Sequence, residues 1–307
     1  MSFIEKQRHG KHSYFYLVKN VRISPAKIKK LRIWLGREIP KQDQLQKYFV
    51  EIEKMTIEQI FQIRWLPKDL IERVDDLSAS ITVFHKTPTN ALSKDFLVRY
   101  TYNTNAIEGN RLTLRQTALV LSDRIAPEGT RADDVIEALN AMDAWNFIKA
   151  YKNRLNKKYA CKIQYELTKN TSCRIQGDYR NSEVRIGGSK HIPPKPSEVP
   201  KLLEGLFSQF YSERKAIHPI ELAAFIHNRF VNIHPFTDGN GRTARLLMNW
   251  ILIRNKFPPV IIEVSNKEQY YSVIEAGDKG DHKPFAIFLA KQLLSQYTRP
   301  LHDLTAE

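Results

Sequence analysis

The sequence predicts an all-α protein that carries two short β segments. Apolar residues recur at helical spacing across residues 41–76 and again from about residue 93 to residue 296. Only residues 12–35 and 177–196 break this trend, because there apolar residues alternate with polar ones beside turn residues. With 42% hydrophobic residues, the chain can form a packed core, and its apolar runs are too short to cross a bilayer.

The N-terminal part of the chain divides into two segments. Over residues 12–35, β-branched and aromatic residues flank a Ser-Pro-Ala turn, which predicts a two-stranded hairpin with its Lys and Arg side chains on one face. A helical stripe then follows, made of Leu45, Phe49, Ile52, Met55 and Ile60. Residues 76–92 are expected to form a mixed connection with a domain boundary. We therefore expect a basic hairpin segment over 1–40 and a helical region with its connection over 41–92.

The remaining segment, residues 93–300, is predicted to be one helical domain. Its helices are expected at about 93–109, 113–121, 131–155, 198–213, 219–233, 241–255, 267–276 and 284–296. Gly109 is placed to end the first of these helices. Within residues 177–196, alternating Val and Ile residues, a Gly-Gly turn and a Pro-Pro pair predict a short β-hairpin.

Charge and cysteine content limit the function classes. The net charge is +15, and residues 1–50 carry twelve Lys and Arg residues against three acidic ones. A basic surface of this kind fits an acidic partner such as nucleic acid, and equally a solvated surface without a partner. Cys161 and Cys173 form no metal-binding pattern and no disulfide framework, and the N-terminus lacks the apolar core of a signal peptide. We expect a cytoplasmic protein.

The stretch HPFTDGNGRTAR, residues 234–245, is the strongest candidate site. Gly239, Asn240 and Gly241 directly precede an amphipathic helix, and the first amides of a helix have no partner within it. These amides and the helix dipole favour an anion. Arg242 and Arg245 are three residues apart, which places both guanidinium groups on one face of the first turn. The pattern predicts a cradle for phosphate groups.

An acid and an imidazole complete this cradle. Asp238 beside a phosphate site is best explained as a ligand of Mg²⁺, which prefers oxygen ligands. His234 ends the preceding helix and can accept a proton near neutral pH. The set can therefore hold a nucleotide while His234 deprotonates an incoming hydroxyl. The sequence contains no G-x-x-x-x-G-K-[ST] stretch, which argues against a P-loop enzyme.

The same twelve residues resemble the signature of the Fic family, H-x-F-x-[DE]-G-N-G-R-x-x-R, at every specified position, and the resemblance extends over roughly residues 93–296. It implies a Fic-type helical core that transfers AMP from ATP to a hydroxyl group of a protein. By resemblance, His234 is the catalytic base and Asp238 binds Mg²⁺. Three further roles are implied: Asn240 and the amides of Gly239 and Gly241 hold the α-phosphate region, Arg242 and Arg245 contact the outer phosphates, and Phe236 packs the loop onto the core.

The stretch TNAIEGN, residues 104–110, resembles the inhibitory motif [ST]-x-x-x-E-[GN] of the same family at Thr104, Glu108 and Gly109. The resemblance implies that Glu108 pairs with Arg245 and keeps ATP from its productive position. It also implies a second use of Glu108, which would activate a water molecule to remove AMP from a modified target. The sequence does not decide which direction prevails.

Two other segments are assigned by resemblance alone. The predicted hairpin VRIGGSKHIPP, residues 184–194, is similar to the Fic flap, which pairs with the backbone of the target; Ile186, His191 and Ile192 would flank the modified residue. Tyr271 corresponds to an aromatic residue near adenine. Asp278 stands where relatives frequently have Asn, and it can accept but not donate a hydrogen bond to the nucleotide.

These features leave several functions open. The leading hypothesis is an autoinhibited protein adenylyltransferase that uses ATP and Mg²⁺ and modifies a target protein and itself. One alternative is a Fic-fold transferase of another nucleotide or of a phosphoryl group. Another is a regulator without enzymatic activity that senses nucleotides and binds nucleic acid through residues 1–40. We expect no membrane association, and a homodimer is left open.

Overall fold

The fold was analysed in a computed structural model, which describes residues 2–10, 12–24, 27–60, 65–84 and 90–303. A three-stranded sheet comes first and eleven α-helices follow. The strands are β1 (Ser2–His9), β2 (His12–Ser24) and β3 (Lys27–Gly36). The helices are α1 (Gln42–Ile60), α2 (Lys68–Phe84), α3 (Asn90–Ile107), α4 (Leu114–Ala118), α5 (Ala132–Ala150), α6 (Lys157–Thr168), α7 (Val199–Glu213), α8 (Pro219–Ile233), α9 (Asn240–Arg254), α10 (Lys267–Asp278) and α11 (Lys283–Asp303).

The N-terminal sheet is antiparallel, with β2 between β1 and β3. The predicted β2–β3 hairpin is confirmed, but the third strand, β1, was missed. On the buried face of β1, Ile4 is followed by Lys6 and Arg8, so the apolar alternation there is too weak to mark a strand. The same buried face shows a second error in β2. Lys19 lies on the buried face beside Glu53, 2.5 Å from its carboxylate, so the cations do not all share one face.

Helices α1 and α2 connect this sheet to the rest of the molecule. Ile52 of α1 is fully buried against the sheet, and Leu45, Phe49 and Met55 are partly buried beside it; the side chain of Ile60 lies outside the described residues. The expectation of a mixed connection over residues 76–92 was wrong for its first half. Helix α2 continues to Phe84, because its apolar residues keep helical spacing through Leu77 although β-branched residues follow.

The main core is built around the antiparallel pair α8 and α9. Nearly every residue of α8 is buried, and twelve of the fifteen residues of α9 are buried as well. Helices α5, α6, α7, α10 and α11 surround this pair, and α2 joins the same core through Leu70, Ile71 and Val74. The predicted bounds of α8 are confirmed, whereas α6 was not predicted. Within the described ranges no helix has the length and hydropathy that a membrane span requires.

The segment 184–194 is not a β-hairpin, which corrects the prediction. A turn forms at Gly187 and Gly188, and the Ser189 amide donates to the Ile186 carbonyl oxygen at 3.1 Å, but neither arm is a strand. Two carbonyl oxygens at the ends of the segment are bonded to another side chain. The side chain of Arg180 binds the carbonyl oxygens of Ser182 and Pro194, and the Pro-Pro pair supplies no N–H to a ladder.

Candidate active site

The loop that joins α8 to α9 is closed by the side chain of Asn240. Asn240 Oδ1 accepts a hydrogen bond from the Phe236 amide at 2.9 Å, and Asn240 Nδ2 donates to the Phe236 carbonyl oxygen at 2.8 Å. Phe236 is fully buried, with its ring near those of Tyr179 and Phe230. The loop backbone is thus fixed from inside. Because both polar groups of the Asn240 side chain are used in this way, its backbone amide is the group left for a phosphate.

His234 is the C-cap of α8 and has a left-handed backbone, with φ of 50°. Its Nδ1 lies 3.3 Å from the Val231 carbonyl oxygen. A carbonyl oxygen only accepts hydrogen bonds, so Nδ1 carries the proton in this contact and Nε2 is left as the basic nitrogen. Burial lowers the pKa of His234 from its ordinary value of 6.5. A neutral imidazole near neutral pH is what the predicted role of general base needs.

The first turn of α9 is open to a ligand. Gly239 is the N-cap residue, with φ of 80°, and no side chain caps the helix. The amides that begin α9 are therefore available to an anion, and the helix dipole favours one there. Gly241 lies directly beside the inhibitory segment, because a Cβ atom at this position would collide with Oε1 of Glu108. Only glycine allows this carboxylate to approach the start of the helix so closely.

Arg245 is held by Thr104 and Glu108 on one side and by Tyr270 on the other. Its Nε donates to Thr104 Oγ1 at 2.9 Å, and its Nη2 donates to the Thr104 carbonyl oxygen at 2.9 Å and to Glu108 Oε1 at 2.7 Å. Its Nη1 donates to the Tyr270 hydroxyl at 3.2 Å. The side chain of Arg245 is 2% exposed and that of Glu108 is 34% exposed. The structure thus brings Thr104, Glu108 and Arg245 together, as the sequence predicts.

Tyr270 connects Arg245 to a buried histidine. Burial raises the pKa of Tyr270 to about 12 and lowers the pKa of His227 to about 3, so both side chains are neutral. His227 Nε2 lies 2.9 Å from the Tyr270 hydroxyl. Because that hydroxyl accepts from Arg245, its proton is directed to His227 Nε2. These two hydrogen bonds, from Arg245 to Tyr270 and from Tyr270 to His227, fix the orientation of the Arg245 guanidinium.

Glu108 is positioned by the way in which α3 ends. The Asn110 amide donates to the Asn105 carbonyl oxygen at 3.1 Å, and the Gly109 amide donates to the Ala106 carbonyl oxygen at 3.1 Å. This pair of bonds is the Schellman motif, which requires a left-handed residue at the position of Gly109. Gly109 has φ of 100°. The glycine of the inhibitory motif therefore has a structural role, because it turns the chain directly after Glu108.

Arg242 binds two carboxylates instead of sharing the partners of Arg245. Its Nη2 contacts both oxygens of Asp238, at 3.1 and 3.0 Å, and its Nη1 donates to Glu137 Oε1 at 3.0 Å. The other oxygen of Glu137 accepts a hydrogen bond from Asn110 Nδ2 at 2.8 Å. Glu137, on α5, thus joins the end of the inhibitory motif to the first turn of α9.

A magnesium ion would have Asp238 as its protein ligand. Asp238 is half-exposed at the start of α9, and among the residues that the structure describes no group of three or more His, Cys, Asp or Glu side chains could hold a metal ion. Mg²⁺ at nucleotide sites is commonly held by one or two carboxylates together with phosphates and water. A single exposed carboxylate fits that pattern, although in this structure Arg242 pairs with both of its oxygens.

The segment after α6 is attached to the loop by Arg180. The Arg180 amide donates to the Pro235 carbonyl oxygen at 2.9 Å, and Arg180 Nε donates to the His234 carbonyl oxygen at 2.8 Å. Its remaining donors bind Ser182 and Pro194, so one buried guanidinium holds both the candidate base and the expected flap. Burial lowers the pKa of Arg180.

The residues predicted to contact the target and the adenine are brought together only in part. His191 Nε2 lies 2.8 Å from the Asn232 carbonyl oxygen, and Asn232 Nδ2 donates to Asp278 Oδ1 at 3.2 Å. Tyr271 donates to the Ile107 carbonyl oxygen at 3.3 Å, beside Glu108. Ile192, by contrast, is 64% exposed, and Ile186 takes part only in the turn.

Three residues that position the site were missed in the sequence. Glu137 and Arg180 act through hydrogen bonds described above, and Gln164 on α6 donates to the Asp238 carbonyl oxygen at 3.2 Å while its Oε1 accepts from the Gly177 amide. All three lie far from residues 234–245 in the chain. No spacing rule connects them to the loop, so only the tertiary structure reveals them.

The arrangement as a whole is an anion site that already contains an anionic side chain. Free amides, a helix N-terminus and a buried arginine converge at Gly241, and the Glu108 carboxylate lies among them. A phosphate group has the charge and the acceptor oxygens to replace that carboxylate. A base with a free nitrogen, His234 Nε2, ends the helix on the other side of the loop.

Comparison with known proteins gives a consistent result. Residues 154–252 match the model of the Fic/DOC family. The chain is 32% identical over 236 residues to the protein adenylyltransferase Fic of Aedes aegypti and 34% identical over 236 residues to that of Drosophila mojavensis. These alignments cover 74% of this chain but only 47% and 46% of the relatives. The chain therefore spans about half the length of the curated relatives that it matches.

Solved structures extend the likeness to the fold. The Fic-1 structure from C. elegans aligns with a TM-score of 0.69 and 28% identity, and the alignment covers 78% of this chain and 73% of that one. A Fic domain containing signaling protein from Bacteroides thetaiotaomicron aligns with a TM-score of 0.66 and 25% identity, and the alignment covers 75% of this chain and 93% of that one. The helical core and its arrangement around residues 234–245 are thus those of Fic structures.

The contacts of Arg180 predict that it holds the 182–194 segment against the loop. In the Arg180→Met variant the three hydrogen bonds of this side chain, to the carbonyl oxygens of His234, Ser182 and Pro194, are lost, so the segment should open more often. Trypsin should then cleave after Arg185 or Lys190 at least about ten-fold faster than in the unchanged protein.

The matched control is Arg174→Met, because Arg174 is exposed in the preceding loop. Cleavage sites are identified by mass spectrometry of the fragments. Equal cleavage rates for the Arg180 and Arg174 variants would contradict the positioning role.

Proposed function

The chain belongs to the Fic/DOC family, and from this we propose that it is a protein adenylyltransferase, which transfers AMP from ATP to a hydroxyl group of a protein. The two relatives described above are both named protein adenylyltransferase Fic. Support within the chain comes from the residues themselves, since every specified position of the Fic signature is present and the loop that carries them has a formed anion site.

One observation carries the proposal. The Glu108 carboxylate lies beside Gly241 at the N-terminus of α9, where it accepts a hydrogen bond from the Arg245 guanidinium. A site that binds one anion in this way can bind the polyphosphate of a nucleotide. In the proposed reaction, His234 Nε2 takes the proton of the attacking hydroxyl, and pyrophosphate leaves as that hydroxyl oxygen bonds to the α-phosphorus.

The start of α9 supplies the groups that would contact the phosphates. The amides from Asn240 onward and the guanidinium of Arg245 would hold phosphate oxygens once Glu108 has moved. Asp238 would hold Mg²⁺, which when bound neutralises charge on the phosphates. Arg242 is already fixed between Asp238 and Glu137, so its charge is positioned before the nucleotide arrives.

We further propose that the protein is autoinhibited by Glu108 and that the same residue serves the reverse reaction. Pairing with Glu108 occupies Arg245 in the absence of a nucleotide, so ATP must displace a short charge-assisted hydrogen bond to bind productively. Only Oε1 takes part in that bond. The other carboxylate oxygen of the partly exposed side chain could orient a water molecule toward a modified target and so remove AMP.

Removal of the Glu108 carboxylate should activate transfer. We expect the Glu108→Gly variant to incorporate label from α-labelled ATP into itself or a target protein at least about ten-fold faster than the unchanged chain, because Arg245 becomes free for phosphate. The matched control is Glu128→Gly, since Glu128 is exposed and also precedes a glycine with positive φ, Gly129.

The added mass, measured by mass spectrometry, identifies the transferred group. Parallel reactions with GTP, CTP and UTP test whether Asp278 changes the nucleotide preference. Adding His234→Ala to the Glu108→Gly variant should abolish incorporation. No gain in the Glu108 variant would remove the inhibitory role, and persistent transfer without His234 would show that another group is the base.

The pH dependence of transfer should report the buried imidazole. Because burial lowers the pKa of His234 from 6.5, the base stays neutral to a lower pH than a free histidine does. The acidic limb of the kcat/KM profile of the Glu108→Gly variant should therefore lie below pH 6.5. Glu108 acts to raise the pKa of His234, so the limb should lie lower in this variant than in the unchanged protein. An acidic limb above pH 6.5 would contradict the assignment of His234 as the general base.

Transfer should depend on a divalent cation. Chelation of Mg²⁺ by EDTA should lower the rate of the Glu108→Gly variant by at least about 100-fold, because the phosphate charge is then not neutralised. Excess Mg²⁺ should restore the rate. Asp238→Asn should raise the Mg²⁺ concentration that gives half-maximal rate. Full activity in EDTA would refute the role of Asp238.

A further inference from the structure

A second positively charged site lies at the far end of α9. The helix runs from Asn240, at the candidate active site, to Arg254, and fifteen residues at about 1.5 Å each place its two ends about 21 Å apart. The C-terminal ends of α5, α7 and α9 meet there around a cavity of about 1080 Å³. We call it the basic basin, lined by Tyr151, Lys152, Asn153, Arg154, Asn156, Tyr211, Arg214, Lys215, Arg254 and Asn255 above a floor of Phe210, Trp250 and Ile251.

The charged residues that line the basic basin are all positive. Five of its lining residues are Lys or Arg, and no Asp or Glu is among the lining residues that the structure describes. Its cations also have no carboxylate within ion-pair distance in the described part of the chain. Arg254, for example, donates to the Lys152 carbonyl oxygen at 3.5 Å. All five cations are exposed, and together they give the basin a positive potential that favours an anion.

Compensation of helix dipoles explains only part of this charge. Cations commonly gather at helix C-termini, and three such ends border the basin through their C-caps Tyr151, Arg214 and Asn255. Each end carries about half a negative charge, so three ends offset about 1.5 of the five positive charges. An excess of about three to four charges remains for a ligand.

Aromatic rings hold part of this charge in place. Arg154 and Arg214 lie with their guanidinium carbons 4.5 and 4.9 Å from the centroid of the Tyr211 ring. Tyr151 stacks on Tyr159, with ring centroids 3.7 Å apart. The Trp250 indole N–H donates to the Tyr151 carbonyl oxygen at 3.1 Å, which fixes the basin floor to its rim.

We propose that the basic basin binds a phosphate-bearing anion at a site separate from the nucleotide loop. Guanidinium groups match phosphate oxygens in fork geometry, and stacking on a ring leaves their N–H edges free to donate. The volume of the basin suits several linked phosphates. Its ligand is therefore a compound with two or more phosphates, supplied either as a free small molecule or as the backbone of a single-stranded nucleic acid.

The test uses Trp250 as a local reporter. The full chain has four tryptophans, so an indole N–H spectrum of ¹⁵N-labelled protein shows four cross-peaks, and Trp250→Phe identifies the one in the basin. Pyrophosphate is titrated in buffer that contains no phosphate or sulfate, at low salt. We expect the Trp250 cross-peak to move saturably with a half-point below about 1 mM.

Two triple variants with equal loss of charge separate the basin from general electrostatics. Arg154→Gln with Arg214→Gln and Arg254→Gln should raise the half-point at least about ten-fold. Lys68→Gln with Arg73→Gln and Lys201→Gln removes three exposed cations elsewhere and should leave the half-point nearly unchanged. The other three indole cross-peaks show in the same spectra that each variant is folded.

Further outcomes identify the ligand or overturn the proposal. If the half-point for a single-stranded oligonucleotide lies at a concentration at least about 100-fold lower than that for pyrophosphate, the ligand is a nucleic-acid backbone. If the two half-points are equal, the ligand is a free phosphate compound. A Trp250 cross-peak that stays in place up to about 10 mM pyrophosphate overturns the proposal. Equal weakening in the two triple variants overturns it as well. These results do not depend on transfer activity, so they remain distinct from a failure of the proposed function.

Discussion

The free amides at the start of α9 and the buried guanidinium of Arg245 form one site of positive potential, and the other parts of the active site are arranged around it. No side chain caps α9, so the helix depends on an external group to bind its first N–H donors. The core fixes this helix rigidly, because twelve of its fifteen residues are buried. Asn240 closes the loop before it, and His234 ends the helix that precedes the loop. The site therefore has little freedom except in what occupies it.

The buried charge of Arg245 explains why the Glu108 carboxylate lies at that site in the structure. Burial acts to lower the pKa of Arg245, yet Tyr270 and the Glu108 carboxylate raise it overall, so the guanidinium stays charged. Removing one partner of a buried ion pair commonly costs about 3–5 kcal/mol. Exchanging a carboxylate for a phosphate costs far less, because the charge remains compensated and the fork geometry is kept. The proposed inhibitory role of Glu108 fits this constraint, because its carboxylate compensates the charge of Arg245 when no phosphate is bound.

The parts of the structure that the sequence revealed are those encoded within a short stretch. Residues 234–245 contain both glycines, the base and both arginines, so local rules of helix starts predicted the anion site, and α8 was predicted with its bounds. The Schellman turn at Gly109 is local too. Arg180, Glu137 and Gln164 hold the same loop from three other segments, and no local rule connects them with it. The 184–194 segment shows the reverse error: its residues alternate as a hairpin does, but Arg180 binds the carbonyl oxygens of Ser182 and Pro194 at its two ends, and Pro193 and Pro194 supply no N–H for strand pairing.

Glu137 connects Arg242 to the turn that positions Glu108, although the two belong to separate sequence motifs. Asn110, two residues after Glu108, donates to one oxygen of Glu137, and Arg242 donates to the other. Asn110 is also the last residue of the Schellman turn that positions Glu108. A movement of that turn that freed Arg245 would either break the hydrogen bond between Asn110 and Glu137 or carry Glu137 with it. In the second case the buried guanidinium of Arg242 would also lose or shift its carboxylate partner. Glu137 therefore connects the turn that positions Glu108 to Arg242, although the two arginines of the signature hydrogen-bond to different partners.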